Sequence, residues 1–242
     1  LRKLIFILFP VFCYGQVTIT RATSSGEHNC SGAGLVSVQH NNITLTQDKL
    51  YLAVVFADST NVYGSSVTST SFTWDILAQV GNFKRRVSIY RCVPSSTTTT
   101  DDPLVTFPFG DFPNMIDFTI WEITGVPMTN NGADAIIQSV KDSATSSTTA
   151  LITLATLQPR ASVFTCFTNS LNPFGGSVES GWTEQVDQGC ATFSGSTNIS
   201  GQYIMTRIAT TDNTPSATVS SSDWLGVSIE LRASGRRATV IN

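Results

Sequence analysis

Trp224-Leu225-Gly226-Val227-Ser228-Ile229-Glu230-Leu231 places an aliphatic side chain at every second position and sets Trp224, Gly226, Ser228 and Glu230 between them. Successive side chains of an extended chain point to opposite faces, so a period of two marks a strand with one buried face. The same period recurs upstream. Phe72, Trp74 and Ile76 share a parity, as do Val87 and Ile89, and Ile116, Phe118 and Ile120. Tyr51-Leu52-Ala53-Val54-Val55-Phe56-Ala57 is apolar on both parities and reads as a central strand covered on both faces.

Weaker strand signals lie at 43–45, 104–107, 135–140, 150–154, 162–167, 182–186 and 203–208. Turn residues separate them: Asn61, Gly64, Gly81-Asn82, Asn130-Asn131-Gly132, Asn172-Pro173, Gly175-Gly176 and Asp212-Asn213. No amphipathic helical period is sustained over twelve residues, and the β-branched pair Ile136-Ile137 favours strand over a short helix at 134–140. The polar runs 95–103 and 143–149 read as surface loops. Many short strands at this spacing predict an all-β protein, an antiparallel β-sandwich of jelly-roll-like form in a single domain. No internal repeat stands out.

The 242 residues suffice for one large β domain. Charged residues make up only 13%, the formal net charge is −3, and Ser and Thr together form about a quarter of the chain. Low charge and abundant Thr suit an extracellular β protein. No basic patch of the kind that binds nucleic acid is present, since basic clustering stops at Lys84-Arg85-Arg86 and Arg236-Arg237.

Arg2 and Lys3, the apolar run Leu4-Ile5-Phe6-Ile7-Leu8-Phe9-Pro10-Val11-Phe12, and Cys13-Tyr14-Gly15-Gln16 follow the order of a secretory signal. The run is shorter than the roughly 20 apolar residues of a membrane span. The reading is a signal peptide at 1–15, cleaved after Gly15, followed by a β-sandwich domain at 16–242, secreted or held at the cell surface, with no membrane span once the signal is removed. Four cysteines then remain, Cys30, Cys92, Cys166 and Cys190. An even count in an exported chain favours disulfides. Of three connectivities, Cys30 with Cys92 and Cys166 with Cys190 is preferred because it links segments within each half. A zinc site from Cys30, His28 and His40 is disfavoured by the absence of CxxC spacing.

Tyr51-Leu52-Ala53-Val54-Val55, Phe72-Thr73-Trp74, Arg86-Val87-Ser88-Ile89-Tyr90-Arg91 and Phe118-Thr119-Ile120-Trp121-Glu122-Ile123-Thr124-Gly125-Val126 come in an order that resembles the β-sandwich accessory virion proteins of tailed phages and prophages. Ala135-Ile136-Ile137-Gln138-Ser139 and Trp224 to Leu231 fit the same arrangement, and the likeness runs over residues 45–232. It implies a jelly-roll-like fold and a role as a virion fibre or decoration protein, in which trimers are frequent, and it carries no catalytic residues. The secretory leader departs from that pattern, because virion proteins assemble inside the host cell. It points instead to an exported protein of the same fold.

An enzyme of this architecture would be a glycosidase with two carboxylates flanking a sugar. Asp117 and Glu122 are the tempting pair, but a separation of five puts them on opposite faces of a regular strand. Glu122 and Glu230 are instead expected to pair with Arg85, Arg91 or Arg207. No GxSxG elbow exists, and Gly32-Ala33-Gly34 lacks the Lys and helix of a phosphate loop. Asp101, Asp102, Asp111 and Asn114 offer hard oxygens for calcium (Ca2+), the only cofactor with any basis in the sequence. Aromatic loop residues carry the binding case: Phe107, Phe109 and Phe112 in a loop rich in Pro and Gly, Trp182 after Gly181, and Tyr63 beside Gly64. Such rings stack on sugars or anchor a protein. They also serve as plugs for the open ends of a sandwich. The expected function is a non-enzymatic structural or adhesion module that meets a surface glycan or protein partner through its end loops, with homo-oligomers possible. The alternatives are a virion fibre or decoration protein, contacting virion components, and a polysaccharide-active enzyme.

Overall fold

The computed structural model describes residues 13–14, 16–22, 37–40, 43–58, 64–82, 84–95, 99–108, 113, 115–171, 173–190 and 200–236. In chain order the strands are β1 (Cys13–Tyr14), β2 (Thr18–Arg21), β3 (Ser37–Gln39), β4 (Ile43–Leu45), β5 (Leu50–Asp58), β6 (Ser66–Thr68), β7 (Asp75–Gly81), β8 (Arg85–Cys92), β9 (Thr99–Asp101), β10 (Leu104–Thr106) and β11 (Met115–Thr124). A short 3-10 segment, η1 (Asn130–Ala135), leads to β12 (Ile136–Leu151), β13 (Ser162–Asn169), β14 (Ser177–Val178), β15 (Thr183–Cys190), β16 (Ser200–Arg207), β17 (Ser216–Leu231) and β18 (Gly235–Arg236).

Two large antiparallel sheets face one another, and the architecture is the all-β sandwich that the alternation implies. The first sheet has the order β2-β11-β5-β8-β7 and is drawn from the first half of the chain. The second runs β12-β17-β13-β16-β15, with β14 beside β17, and is drawn from the second half. Between them lie Leu52, Val54, Phe56, Val87, Ile89 and Trp121 of the first sheet and Phe164, Cys166, Ile204, Leu225, Val227 and Ile229 of the second. Trp121 meets Phe164 edge-on across the gap at 5.6 Å between centroids. Arg85 spans the same gap: Nε lies 3.3 Å from Asp58 Oδ2 on its own sheet, and a guanidinium N–H donates to the Asp223 carbonyl of the other.

The central reading of β5 holds, since β11 and β8 flank it and all nine of its residues are buried. Its even positions fill the gap between the sheets. Its odd positions, Tyr51, Ala53, Val55 and Ala57, face a third layer made of β3-β10-β6 and β4-β9. The outer face of the second sheet is covered by its own connections: Ile152, Leu154 and Leu157, then Phe174 stacked on Tyr203 at 4.9 Å, then Trp182. The molecule is therefore four layers deep.

Some elements depart from the sequence reading. The run 143–149, expected as a loop, lies inside the 16-residue β12, because β17 offers a ladder of matching length with register shifts near Ser147. Thr99–Asp101, expected within a loop, pair with Ile43–Leu45. Phe72 and Trp74 precede β7 rather than alternating along it, and Ile76 is 53% exposed. Phe72 and Trp74 lie outside the strand, so no common pleat ties their face to that of Ile76, and β7 itself lies at the sheet edge. Of the expected leader, only Cys13 and Tyr14 are described, paired with Arg236 and Gly235. Among the described residues no helix is long and apolar enough to cross a membrane.

The expected disulfides are corrected. Cys92 and Cys166 are free, buried thiols. Cys92 packs between the first sheet and the third layer, and Cys166 between the two large sheets. Cys166 is level with Ile204, which is level with Val186, so Cys190 lies two strands across and four residues along from it. At standard strand spacings that is roughly 16 Å, far beyond the reach of a disulfide. Cys30 lies outside the described residues. Burial raises the Cys92 thiol to about 12 and pushes Cys166 well up, which leaves both inert.

Candidate functional site

Of the aromatics singled out from sequence, the two that are described, Phe107 and Trp182, are buried. Phe107 is 7% exposed in the core beneath the third layer, and Trp182 is 6% exposed over the second sheet. Trp182 Nε1 donates to Asp212 Oδ2 at 3.0 Å, and Arg207 lies over its ring while reaching the same carboxylate at 2.7 Å. Both rings plug the sandwich, because burying an aromatic body stabilises more than exposing it for a ligand. Phe109, Phe112 and Tyr63 lie outside the described residues.

Glu122, Glu230 and Asp101 are held in hydrogen bonds within the fold. Asp117 faces the gap between the sheets beside Trp121, while Glu122 points to the opposite face with Phe118 and Ile120. Glu122 does not pair with an arginine. Its oxygens accept from Lys49 Nζ at 2.7 Å and Tyr51 Oη at 3.1 Å. Glu230 is buried and accepts from Gln138 Nε2 and the Gln158 backbone N–H. Asp101, expected in a calcium set, accepts from Thr70 Oγ1 and from the backbone N–H groups of Thr70, Ser71 and Asp102. Its lone pairs are thus spent on a loop. Burial alone would raise this carboxyl, but those donors hold it below the ordinary range. Asp102 is exposed, and Asp111 and Asn114 lie outside the described residues. His40 is buried edge-on to Phe118 at 5.2 Å. Burial, with Arg21 adding repulsion, lowers it to about 4. His28 lies outside the described residues. Among the described residues no group of three or more His, Cys, Asp or Glu is placed to hold a metal.

A cavity of about 610 Å³ opens where four connections meet at one end of the first sheet. The register explains the meeting: Leu50 is opposite Ile123, Tyr51 opposite Cys92, and Arg91 opposite Asp75, so β5, β7, β8 and β11 begin or end at one level. The loop 46–49 brings Gln47 and Asp48, the link 69–74 brings Ser71, Phe72 and Thr73, the end of β8 leads to Val93, Pro94 and Ser95, and the crossover to the second sheet brings Met128 and Asn131. Asp75 closes the floor.

Each of these loops is pinned from below. The Thr46 backbone N–H donates to Tyr51 Oη, whose own proton goes to Glu122, and Lys49 closes the ring. Asp101 gathers the turn at Thr70-Ser71. Asn131 joins the other walls: Nδ2 donates to Asp75 Oδ2 at 2.8 Å and to the Thr73 carbonyl, Oδ1 accepts from the Val93 N–H at 2.7 Å, and its carbonyl accepts from Arg91 Nε. Arg91 also lies 3.6 Å from Asp75 Oδ2. Asp48 and Asn131 both occupy the left-handed region, at φ 61 and φ 50, which Asp and Asn tolerate better than most residues. Gly132 at φ 77 has no space for a side chain, since a Cβ there would lie 2.5 Å from Leu50.

The cleft therefore presents two carboxylates, two side-chain amides, hydroxyls, one aromatic ring and the apolar Val93, Pro94 and Met128 on a braced frame, with a volume in the range of small-ligand sites. Sequence reading marked Asn130-Asn131-Gly132 as a turn and Phe72 as a core residue. It had no signal that strand ends as far apart as Leu50 and Ile123 finish at one level. No protein-family model matches the chain, and neither the curated proteins nor the solved structures contain a match.

Proposed function

We propose that the protein is a binding module displayed at an outer surface, where it holds a glycan or protein partner through the cleft framed by Gln47, Asp48, Phe72, Asp75 and Asn131. One observation carries this reading: the cleft walls are fastened by Asn131, Asp101 and the Tyr51–Glu122–Lys49 ring, while the groups exposed in the cleft are left for a ligand. Preorganised walls lower the ordering cost of binding. The leader-like N-terminus and the low charge support the outer location. The likeness to virion accessory proteins supports a version in which that surface belongs to a virion. A glycan array and a pull-down with the intact protein test the module reading, with Phe72→Ala as the control. Retention of a ligand that the variant loses is the expected result. Two blank experiments would remove the proposal.

A second reading has one observation in its favour. Asp48 and Asp75 both line the cleft, and glycoside hydrolysis uses a pair of carboxylates. Turnover of an array ligand, abolished by Asp75→Asn, would convert the module into an enzyme. Binding without turnover would retire this reading.

A further inference from the structure

We infer that the cleft takes an uncharged, hydroxyl-rich sugar ring and rejects glycans that carry a carboxylate or sulfate. This rests on the cleft being the binding site, and it adds the class of ligand. Among the described residues, the lining holds two carboxylates and no Lys, Arg or His. Arg91 lies beneath it, spent on Asp75 and on the Asn131 carbonyl. Lys49, next to Asp48 in the chain, is committed to Glu122 at 2.7 Å. Arg160 and Arg232 line a separate cavity at the end of the second sheet.

A carboxylate accepts hydrogen bonds and cannot donate. Gln47, Ser71, Thr73 and Ser95 do both. The complement of such a wall is a ligand rich in O–H donors. The anionic group of a uronate or a sulfated sugar offers acceptors alone and would meet the exposed Asp48 with no Lys, Arg or His in the lining among the described residues. A cationic ligand gains little. Asp75 already has Arg91 and Asn131, so Asp48 alone remains, exposed to solvent, where a single ion pair is weak. Phe72, half-buried, presents ring surface for the C–H face of a pyranose. The volume lies within the range of about 300–1,000 Å³ usual for small-ligand pockets.

The test is calorimetric titration of the intact chain with neutral oligosaccharides, each paired with its uronate and its amino-sugar counterpart. At least one neutral member should bind, with its uronate weaker by about tenfold at low salt. That gap should narrow at high salt as the charges are screened. Asp48→Asn keeps a residue suited to φ 61 and should narrow the gap between the uronate and its neutral counterpart severalfold. Phe72→Ala should weaken the neutral ligand without changing the melting midpoint by more than a few degrees. A uronate that binds as tightly as the neutral ligand, or an amino sugar that binds more than about tenfold tighter than it, overturns the inference and leaves the glycan reading standing. If no member of any series binds, the glycan reading falls as well.

Discussion

Asn131 serves four partners from one position: two through its amide nitrogen, one through its amide oxygen and one through its carbonyl. Asn131→Gly keeps the left-handed backbone without strain and removes the side-chain bonds, so its cost isolates them. The expected loss is about 1–3 kcal/mol in urea unfolding, since the Val93 N–H and the Thr73 carbonyl lose a partner. Ligand retention at the cleft should fall with it. Asn131→Ala should cost about 1–2 kcal/mol more, the penalty for a Cβ in that region. Two other residues set the pH response. His40 titrates near 4 when folded, below the usual 6.5, so its contribution is present above 6.5 and is lost as pH falls toward 4. Asp58 is raised from 3.8 to about 6, chiefly by burial that the Arg85 pair only partly offsets. Its contribution is complete below 3.8 and is lost as pH rises through 6. The two slopes oppose each other between about pH 4 and 6, each changing stability by about 1.4 kcal/mol for a tenfold change in proton concentration. The melting temperature of the protein should therefore be nearly flat over pH 4.5–6. In His40→Gln the Asp58 slope stands alone, and the variant should melt higher as pH falls from 6.5 to 4.5. A melting temperature that drops over that window would refute the assignment.

At the scale of elements, Gly226 shows what the β13–β17 ladder demands. A Cβ there would lie 2.5 Å from the Phe167 ring and 2.6 Å from the Cys166 carbonyl. The ring can shift and the carbonyl cannot, because it belongs to the strand paired with β17. Gly226→Ala should destabilise by about 1–3 kcal/mol, an overpacking cost read as a lower urea midpoint with an unchanged slope. The strands themselves were legible wherever parity and burial agreed. Ile43–Leu45 falls at the expected bounds, Met115–Thr124 carries the expected alternation of Ile116, Phe118 and Ile120, and β17 carries the quoted one. Legibility failed at edges. In β12, Ser and Thr occupy one long stretch with no apolar partner face, so nothing in 143–149 distinguishes a solvated edge strand from a loop. At β7, Phe72 and Trp74 precede the strand, so the parity they share with Ile76 fixes no common face.

On the scale of the whole molecule, each large sheet comes from one half of the chain and has an outer core of its own, but the core between the two sheets is shared by both halves. Leu52, Val54 and Trp121 are buried only because Phe164, Val227 and Ile229 cover them. The molecule should therefore unfold as one unit despite its sequential assembly. Fluorescence of Trp121, in the first sheet, and of Trp224, in the second, should report the same urea midpoint in single-tryptophan variants. Separated midpoints would mean that the halves are independent. The amino-acid order alone determined that this chain is β throughout, that β5 is central and that Asp117 and Glu122 point apart. Those properties follow from a period of two and are local to each strand. The cleft, the free state of Cys92 and Cys166 and the burial of Phe107 and Trp182 were decided only by the packed molecule. Each depends on which strand ends and which faces meet, and that is set by register and layering between residues far apart along the chain.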